Sequence, residues 1–419
     1  MWIGQQSSLL FLKYLYAGHE GQRAQVPLVS NKVCSGPPLS MAKEFTEVPV
    51  VDFALSQSPA TKLEFLSQLR NALVHVGFFY LSNHSIPDQV QQAALAQSEA
   101  FFSLPLQKKL DLETAKSKHF LGYNGMNSEK TVAVTGNNES VFFGPDYPPP
   151  SPEEPVYLNL HGPSQWPDED VLPEFRSAVE NYRSAVQGLA ASFVSLVPEA
   201  LGLGSDSFKW LFDDHPFSRL NFRRYPVPPE ESEGGDASHG IAPHKDSSFM
   251  TYLLQDGDHN CLEVQNKSGR WISVPPIPGT LVVNIGRLLE ILTRGVCTAT
   301  THRVILGSEG FRDRHGNRLG PRLSVPFFQN VNLRLLPESL SVDVPSHIVE
   351  LSEGKEAISD SGTFFSGICD NSVGDTVFVS MLTSFVDAAQ KWYPDSLQVA
   401  LEKQSETKRL DQARGIKIQ

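Results

Sequence analysis

The stretch Pro243-His244-Lys245-Asp246-Ser247-Ser248 is the part of the sequence that most restricts the fold. Alternate residues of an extended strand point to the same face, so His244 and Asp246 are predicted to project side by side. Residues 249–254 and 281–285 nearby are apolar and β-prone, as buried strands should be. We therefore expect this stretch to lie within a β-rich core and to present a histidine and a carboxylate together.

His302 and an Arg-x-Ser pair extend this pattern. His302 lies in residues 300–305, another strand-like run, and Arg322 and Ser324 have the i, i+2 spacing of one strand face. An H-x-D pair alone is a weak signal, because it occurs by chance in many chains. Two imidazoles and one carboxylate on one face of a metal are the arrangement of non-heme Fe(II) oxygenases. A guanidinium beside a hydroxyl suits a carboxylate, so the sequence predicts a metal site and an anion site.

Composition limits the class of protein. The 419 residues are 40% hydrophobic, enough for one large domain or two tightly joined units. The net charge is −12 and no Lys/Arg cluster is present, which makes nucleic acid and anionic membranes poor partners. No apolar run is long enough to span a bilayer. Four cysteines show neither metal nor disulfide spacing, which predicts a reducing, cytoplasmic environment: Cys34, Cys261, Cys297 and Cys369.

The order of motifs along the chain resembles that of the isopenicillin N synthase-like, 2-oxoglutarate- and Fe(II)-dependent dioxygenases. The resemblance covers roughly residues 46 to 395 and is specific because many motifs occur in family order. The N-terminal half contributes Pro49-Val-Val-Asp52, Val76-Gly-Phe-Phe79, Asn83-His84-Ser-Ile-Pro87 and Asn138-Glu-Ser-Val-Phe-Phe-Gly144. The later half contributes Arg224-Tyr-Pro226, Pro278-Gly-Thr-Leu-Val-Val-Asn-Ile-Gly286, His302-Arg-Val304 and Arg322-Leu-Ser-Val-Pro-Phe-Phe328.

The resemblance implies a mainly β, α+β fold with a double-stranded β-helix (jelly roll) core and flanking helices. It also implies an enzyme in which 2-oxoglutarate chelates Fe(II) and O₂ takes the remaining metal position. Decarboxylation to succinate would be coupled to hydroxylation, desaturation or another oxidation of a second substrate. Carried over residue by residue, the family motifs give His244, Asp246 and His302 as metal ligands, and Arg322, Ser324 and Tyr225 as contacts to the far carboxylate of 2-oxoglutarate. No catalytic residue beyond the metal ligands is expected.

The chain is predicted to divide into four regions. Residues 1–45 lack periodicity and are expected to form a poorly ordered extension. Residues 46–165 form the N-terminal dioxygenase region, residues 166–395 the β-helix core, and residues 396–419 a charged tail that frays. A helix that braces the core is predicted from apolar residues spaced three and four apart: Phe175, Val179, Tyr182, Val186, Leu189, Phe193 and Leu196.

Three places depart from the family pattern. Residues 307–320 resemble an insertion, predicted to form a lengthened hairpin that removes no motif residue. Arg287 follows Gly286 where many relatives carry Asp, which leaves the support of the metal ligands at that position open. Residues 261–264 read Cys-Leu-Glu-Val instead of the more usual Gly-Leu-Gln-Val, and only a packing change is expected there.

Other functions stay open on the sequence alone. An Fe(II)/O₂ oxidase of the same fold that does not use 2-oxoglutarate would also keep the Arg-x-Ser. A zinc hydrolase could use the same ligands, and a decayed, non-catalytic barrel is disfavoured by the intact ligand set. By family analogy we expect a small or medium-sized hydrophobic substrate of secondary metabolism, and no obligate protein partner is evident. Residues 119–146, residues 229–242 and the C-terminal region are expected to shape its pocket.

Overall fold

β-Strands form the core of this fold. The computed structural model of the protein describes residues 44–131, 134–212, 217–229, 238–352 and 372–413. Nearly all of the predicted extension, residues 1–45, lies outside the described residues. The strands are β1 (Val50–Asp52), β2 (Phe78–Ser82), β3 (Gly122–Asn124), β4 (Lys130–Thr131), β5 (Val134–Thr135), β6 (Glu139–Phe143), β7 (Ser218–Tyr225), β8 (Ser238–His244), β9 (Met250–Gln255), β10 (Leu262–Gln265), β11 (Trp271–Ser273), β12 (Thr280–Ile285), β13 (His302–Leu306) and β14 (Arg322–Gln329).

Two sheets face one another across a cavity. The large sheet has the order β1-β2-β12-β9-β14-β7-β6-β3, and the small sheet has the order β11-β10-β13-β8. Side chains from both sheets line the same cavity, which lies between them. Strands that precede residue 165 pair directly with strands of the later half, for example β6 with β7 and β2 with β12. This sheet-rich arrangement with flanking helices confirms the predicted jelly roll.

The helices pack around the large sheet. The predicted bracing helix is confirmed as residues 175–200, and its apolar stripe is buried against the core, as the three- and four-residue spacing requires. The helices are α1 (Lys62–Asn71), α2 (Asp88–Phe102), α3 (Leu106–Leu110), α4 (Phe175–Ala200), α5 (Arg287–Leu292), α6 (Ser346–Val349), α7 (Val373–Ser384), α8 (Val386–Trp392) and α9 (Pro394–Ala413). Among the described residues, no helix combines the length and the apolar character that crossing a membrane requires.

Gly77 ends the first helical segment. A π-helical turn, Ala72–Val76, follows α1, and Gly77 then takes a φ of 72°. A Cβ built at Gly77 would lie 2.4 Å from the carbonyl oxygen of Thr298, so a larger residue would be excluded there by contact as well as by conformation. The chain then continues into β2, which pairs with β1 and β12.

Two predictions about local structure are wrong in detail. His244 is the last residue of β8, so Asp246 lies just beyond the strand instead of on it. The reason is that pairing with β13 stops at the His302–His244 rung, after which the chain turns towards β9. Residues 307–320 do not lengthen a hairpin between β13 and β14, because those strands belong to different sheets. The segment connects the two sheets and contains one antiparallel bridge, Arg312 with Arg318.

The C-terminal region is more structured than its charge suggests. The predicted tail begins at residue 396, but α9 continues through the stretch to Ala413. Leu397 and Ala400 are buried on one face of this helix and belong to the main hydrophobic core. The division of the chain into four regions remains a prediction.

Candidate active site

Three candidate metal ligands converge at one end of the cavity. His244 Nε2 lies 3.4 Å from Asp246 Oδ1, and His302 Nε2 lies 3.6 Å from the same oxygen. One ligating atom from each residue lies within 4.8 Å of the others, and no other group of this kind occurs among the described residues. The directly paired positions of His244 and His302 on β8 and β13 explain why the two rings come together. Two imidazoles and a carboxylate in this arrangement fit an Fe(II) ion with open positions.

Backbone carbonyls orient both imidazoles. His244 Nδ1 lies 2.9 Å from the carbonyl oxygen of Ala242, and His302 Nδ1 lies 3.2 Å from that of Thr300. A proton on Nδ1 that is donated to a carbonyl leaves the lone pair on Nε2, which faces Asp246. The rings of His302 and Phe78 also pack edge to face, with centroids 5.1 Å apart.

Thr251 and Asn284 hold the carboxylate of Asp246, a role that the sequence did not reveal. Thr251 Oγ1 donates to Asp246 Oδ2 at 2.6 Å, and Asn284 Nδ2 donates to the same oxygen at 2.9 Å. Both bonds use one oxygen and leave Oδ1 facing the histidines. Support for the ligand therefore comes from these two side chains, while Arg287 contributes its backbone N–H to the carbonyl of Asp246 at 2.8 Å. A polar residue inside each apolar strand run was the available signal.

The electrostatics of the cluster favour metal ligation. Burial, and then the neighbouring His244, lower the pKa of His302 to about 4, so its imidazole is neutral near pH 7. Burial by itself would raise the pKa of the Asp246 carboxyl. The nearby histidines and the hydrogen bond from Asn284 outweigh burial and hold that pKa well below its ordinary value. A neutral imidazole and an ionised carboxylate are the forms that coordinate a metal.

Arg322 provides the candidate anion site on β14. Its side chain is 1% exposed, and Nη2 donates to Gln255 Oε1 at 2.9 Å. Nε and Nη1 are buried and make no hydrogen bond. Ser324 shares its strand face, and Tyr225 is its directly paired neighbour on β7, with the guanidinium 4.9 Å from the Tyr225 ring. A buried cation with two unused N–H groups is suited to a carboxylate ligand.

The cavity joins the two sites and measures about 440 Å³. The candidate metal ligands and the Arg322–Ser324 pair all line it. Other side chains that line the cavity come from the segments predicted to shape the substrate pocket. Within these segments, residues 132–133 and 230–237 lie outside the described residues. These side chains include Phe120, Glu129 and Phe142 from residues 119–146, Ile241 from residues 229–242, and Val377, Met381 and Phe385 from the C-terminal region.

Comparison with known proteins identifies the family of this chain. Residues 48–169 match the family model described as non-haem dioxygenase in morphine synthesis N-terminal, and residues 215–331 match the 2OG-Fe(II) oxygenase superfamily. A 2-oxoglutarate-dependent dioxygenase from Gibberella zeae is 53% identical over 89% of this chain and 98% of its own length. The chain belongs to the 2OG-Fe(II) oxygenase superfamily. It is an oxidoreductase that uses Fe(II), 2-oxoglutarate and O₂, as the motifs predicted, and the oxidase without 2-oxoglutarate is not retained.

One further relative is similar in sequence, and two solved structures are similar in fold. Clavatol oxidase claD from Penicillium crustosum is 31% identical over 68% of this chain and 86% of its own length. The crystal structure of a 2OG-Fe(II) oxygenase family protein from Caulobacter crescentus is 26% identical, with a TM-score of 0.58 over 73% of this chain and 92% of that one. A full-length Neurospora crassa protein in complex with alpha-KG and thymine gives a TM-score of 0.58 at 24% identity, over 73% and 96% of the two chains.

Proposed function

We propose that this oxygenase oxidises a small organic substrate of secondary metabolism in the cavity between its sheets. In this proposal one Fe(II) is bound by His244, Asp246 and His302, and the far carboxylate of 2-oxoglutarate is bound by Arg322, Ser324 and Tyr225. A similar protein carries the name clavatol oxidase, which supports a small-molecule substrate. The cavity volume of about 440 Å³ suits a small molecule better than a polymer.

One observation carries the assignment of the cosubstrate site. The two unpartnered nitrogens of buried Arg322 line the same cavity as the histidine–carboxylate cluster. A dicarboxylic keto acid can bridge the two, with its far carboxylate on the guanidinium and its keto-acid end at the metal. A buried guanidinium without a ligand leaves unmet hydrogen-bonding capacity, which a carboxylate satisfies with charge-assisted bonds.

The chain's own residues have defined tasks in this reaction. The backbone carbonyls of Ala242 and Thr300 fix the imidazole tautomers, while Thr251 and Asn284 fix the carboxylate of Asp246. When bound, the iron supplies the redox chemistry that couples oxidation of 2-oxoglutarate by O₂ to oxidation of the second substrate.

The test is anaerobic absorbance spectroscopy with added Fe(II) and then 2-oxoglutarate. We expect a weak visible band in the wild-type protein and its loss in His302→Ala, together with loss of stoichiometric iron. His239→Ala is the matched control, because His239 lies on β8 but does not line the cavity. Near-stoichiometric iron in His302→Ala, or equal losses in both variants, would count against the ligand assignment.

A further inference from the structure

Arg219 is a second buried guanidinium in the cavity wall. It lies on β7, is 5% exposed and lines the same cavity as the candidate metal ligands. Its Nη2 donates to the carbonyl oxygens of His119, at 3.3 Å, and of Leu160. Its Nε is buried without a hydrogen-bond partner. In the described part of the chain, no carboxylate lies within ion-pair distance of Arg219.

Two other buried arginines, Arg223 and Arg322, line the same cavity and differ from Arg219 in their partners. Arg223, four residues along the same strand face, is paired with Glu129 at 2.8 Å and also donates to Asn138. Arg322 has no carboxylate partner among the described residues, but the proposed function assigns it one, the far end of 2-oxoglutarate. Arg219 alone of these three has neither an acidic partner nor an assigned ligand. A cation buried without a counter-charge is costly unless a ligand supplies one.

The register of the large sheet places Arg219 on the same rung as the two residues that hold Asp246. Directly paired residues form one rung across the sheet, from Asn284 through Thr251 and Phe328 to Arg219. All four line the cavity, and two of them are the residues that hold Asp246. Two strand spacings separate Arg219 from Thr251, which is about 10 Å between backbones. Arg322 lies on a different rung, so the two guanidiniums occupy separate parts of the cavity.

The surroundings of Arg219 keep it in place and leave it room. The guanidinium carbon lies 4.5 Å from the centre of the Phe217 ring. A Cβ built at Gly144 would lie 2.6 Å from Arg219 Nη1, so glycine there leaves the space that the guanidinium occupies. Phe120 and Phe142 supply apolar wall nearby. Burial lowers the pKa of Arg219 to about 9, which leaves the group protonated at neutral pH.

We propose that Arg219 binds a carboxylate of the second substrate and thereby presents a neighbouring carbon to the metal centre. The inference rests on the proposed function for the oxidation step, while the binding step stands on the cavity itself. The substrate class is then an organic acid whose apolar or aromatic body packs on the phenylalanine wall. The two carbonyl bonds of Nη2 hold the guanidinium in a fixed orientation, and its remaining N–H groups are the ones available to the ligand.

A purely structural role for Arg219 makes a different prediction. Arg219 would then only tie the segments around His119 and Leu160 to the sheet. Arg183 offers a matched comparison, because it donates to the carbonyl of Gly144 but does not line the cavity. Under the structural reading, changes at 219 and 183 would both lower stability and neither would affect the choice between acids and neutral analogues.

The experiment is calorimetric titration under anaerobic conditions with Fe(II) and saturating 2-oxoglutarate. The probes are benzoate, phenylacetate and 3-phenylpropanoate, each compared with its primary amide. Saturating 2-oxoglutarate occupies the Arg322 site, so the probes report on the rest of the cavity. We expect at least one acid to bind wild type roughly tenfold or more tightly than its amide, since losing one partner of a buried charge pair is costly. Arg219→Gln should abolish that preference, Arg219→Lys should retain part of it, and Arg183→Gln should retain it fully.

Several results would overturn the proposal. The first is that no acid binds the wild-type protein more tightly than its amide does. This holds both when acid and amide bind equally and when neither binds. Another is a preference that survives in Arg219→Gln, or one that Arg183→Gln loses equally. The wild-type comparison and the Arg219→Lys variant keep the test decisive if Arg219→Gln does not fold. Titration of 2-oxoglutarate itself is run in parallel, because its failure to bind wild type would contradict the proposed function and leave the acid preference to be judged separately.

Discussion

Replacing Arg322 tests the cosubstrate site most directly. The side chain is almost fully buried, and its only hydrogen bond in the described structure goes to Gln255. Nε and Nη1 are the atoms that would meet the far carboxylate of 2-oxoglutarate. Arg322→Ala would leave that carboxylate buried beside a neutral serine and a tyrosine. Arg322→Lys would keep the charge but lose the planar fork that binds both oxygens.

The size of the effect follows from this burial. Removing one partner of a buried, hydrogen-bonded charge pair costs about 2–5 kcal/mol. At about 1.4 kcal/mol for each factor of ten, Arg322→Ala should weaken 2-oxoglutarate binding by roughly 25-fold to a few thousand-fold. Ser324→Ala removes one neutral donor to a charged group, worth about 1.5–3 kcal/mol, so its loss of affinity should be smaller. Arg322→Lys should lie between wild type and Arg322→Ala.

The assay is an anaerobic titration of 2-oxoglutarate into the Fe(II)-loaded protein, followed by the visible band and by calorimetry. Iron content should stay near wild type in Arg322→Ala, because Arg322 is not a proposed ligand. The unliganded variant should melt close to wild type, since the change removes a buried cation with two unpartnered nitrogens. Unchanged affinity for 2-oxoglutarate in Arg322→Ala would refute the reasoning, and loss of iron together with affinity would indicate general damage to the site.

Three other predictions address the ligands, the termini and the buried charges. Asp246→Glu should lower iron content sharply, because the added methylene displaces the carboxylate from metal distance; full iron content by metal analysis would contradict this. A chain that starts at Met41 should melt and turn over like the full chain, since residues 1–40 lack a periodic apolar face for packing on the core; a large fall in melting temperature would count against it. Burial would raise the pKa of the Glu139 carboxyl, but hydrogen bonds from Lys109, Tyr123 and Arg224 lower it below its ordinary value. Glu139→Gln should therefore cost about 3–5 kcal/mol near pH 7, and the wild-type advantage should decline as pH falls below the unfolded pKa of about 4.3 towards the lower folded value. Melting temperatures of both proteins across this range are the measurement, and a gap that widens with acidification would show that the sign is wrong.

Much of the fold can be predicted from the sequence, because it follows from local patterns of apolar residues. The stripe of α4 follows from the spacing of its apolar residues, and β9 and β12 follow from continuous apolar, β-prone runs. The end of β8 at His244 cannot be predicted from the sequence, because it depends on where pairing with β13 stops. The role of residues 307–320 was also missed, since a sequence does not reveal that two successive strands belong to different sheets.

The residues of the candidate site also differ in whether the sequence alone could predict them. The predicted ligand trio and Arg-x-Ser pair could be named because each is a motif with a fixed spacing. Thr251 and Asn284 could not, because a polar residue in an apolar run is equally consistent with an ordinary buried hydrogen bond. Only the shared rung of β9 and β12 reveals that both side chains reach the same carboxylate oxygen.

The arginines of β7 show why charge pairing has to be read from the tertiary structure. Arg219 and Arg223 are four residues apart on one strand face, so the sequence predicts the same orientation for both and no difference in their charge partners. Their difference comes from Glu129, which reaches Arg223 from a distant segment and leaves Arg219 without an acidic partner in the described chain. Of the three buried arginines that line this cavity, Arg223 is neutralised, whereas Arg219 and Arg322 are not paired with a carboxylate among the described residues. Because burying a cation costs free energy that folding must otherwise offset, an uncompensated pair of this kind is best explained by two anionic ligands, the cosubstrate and an organic acid.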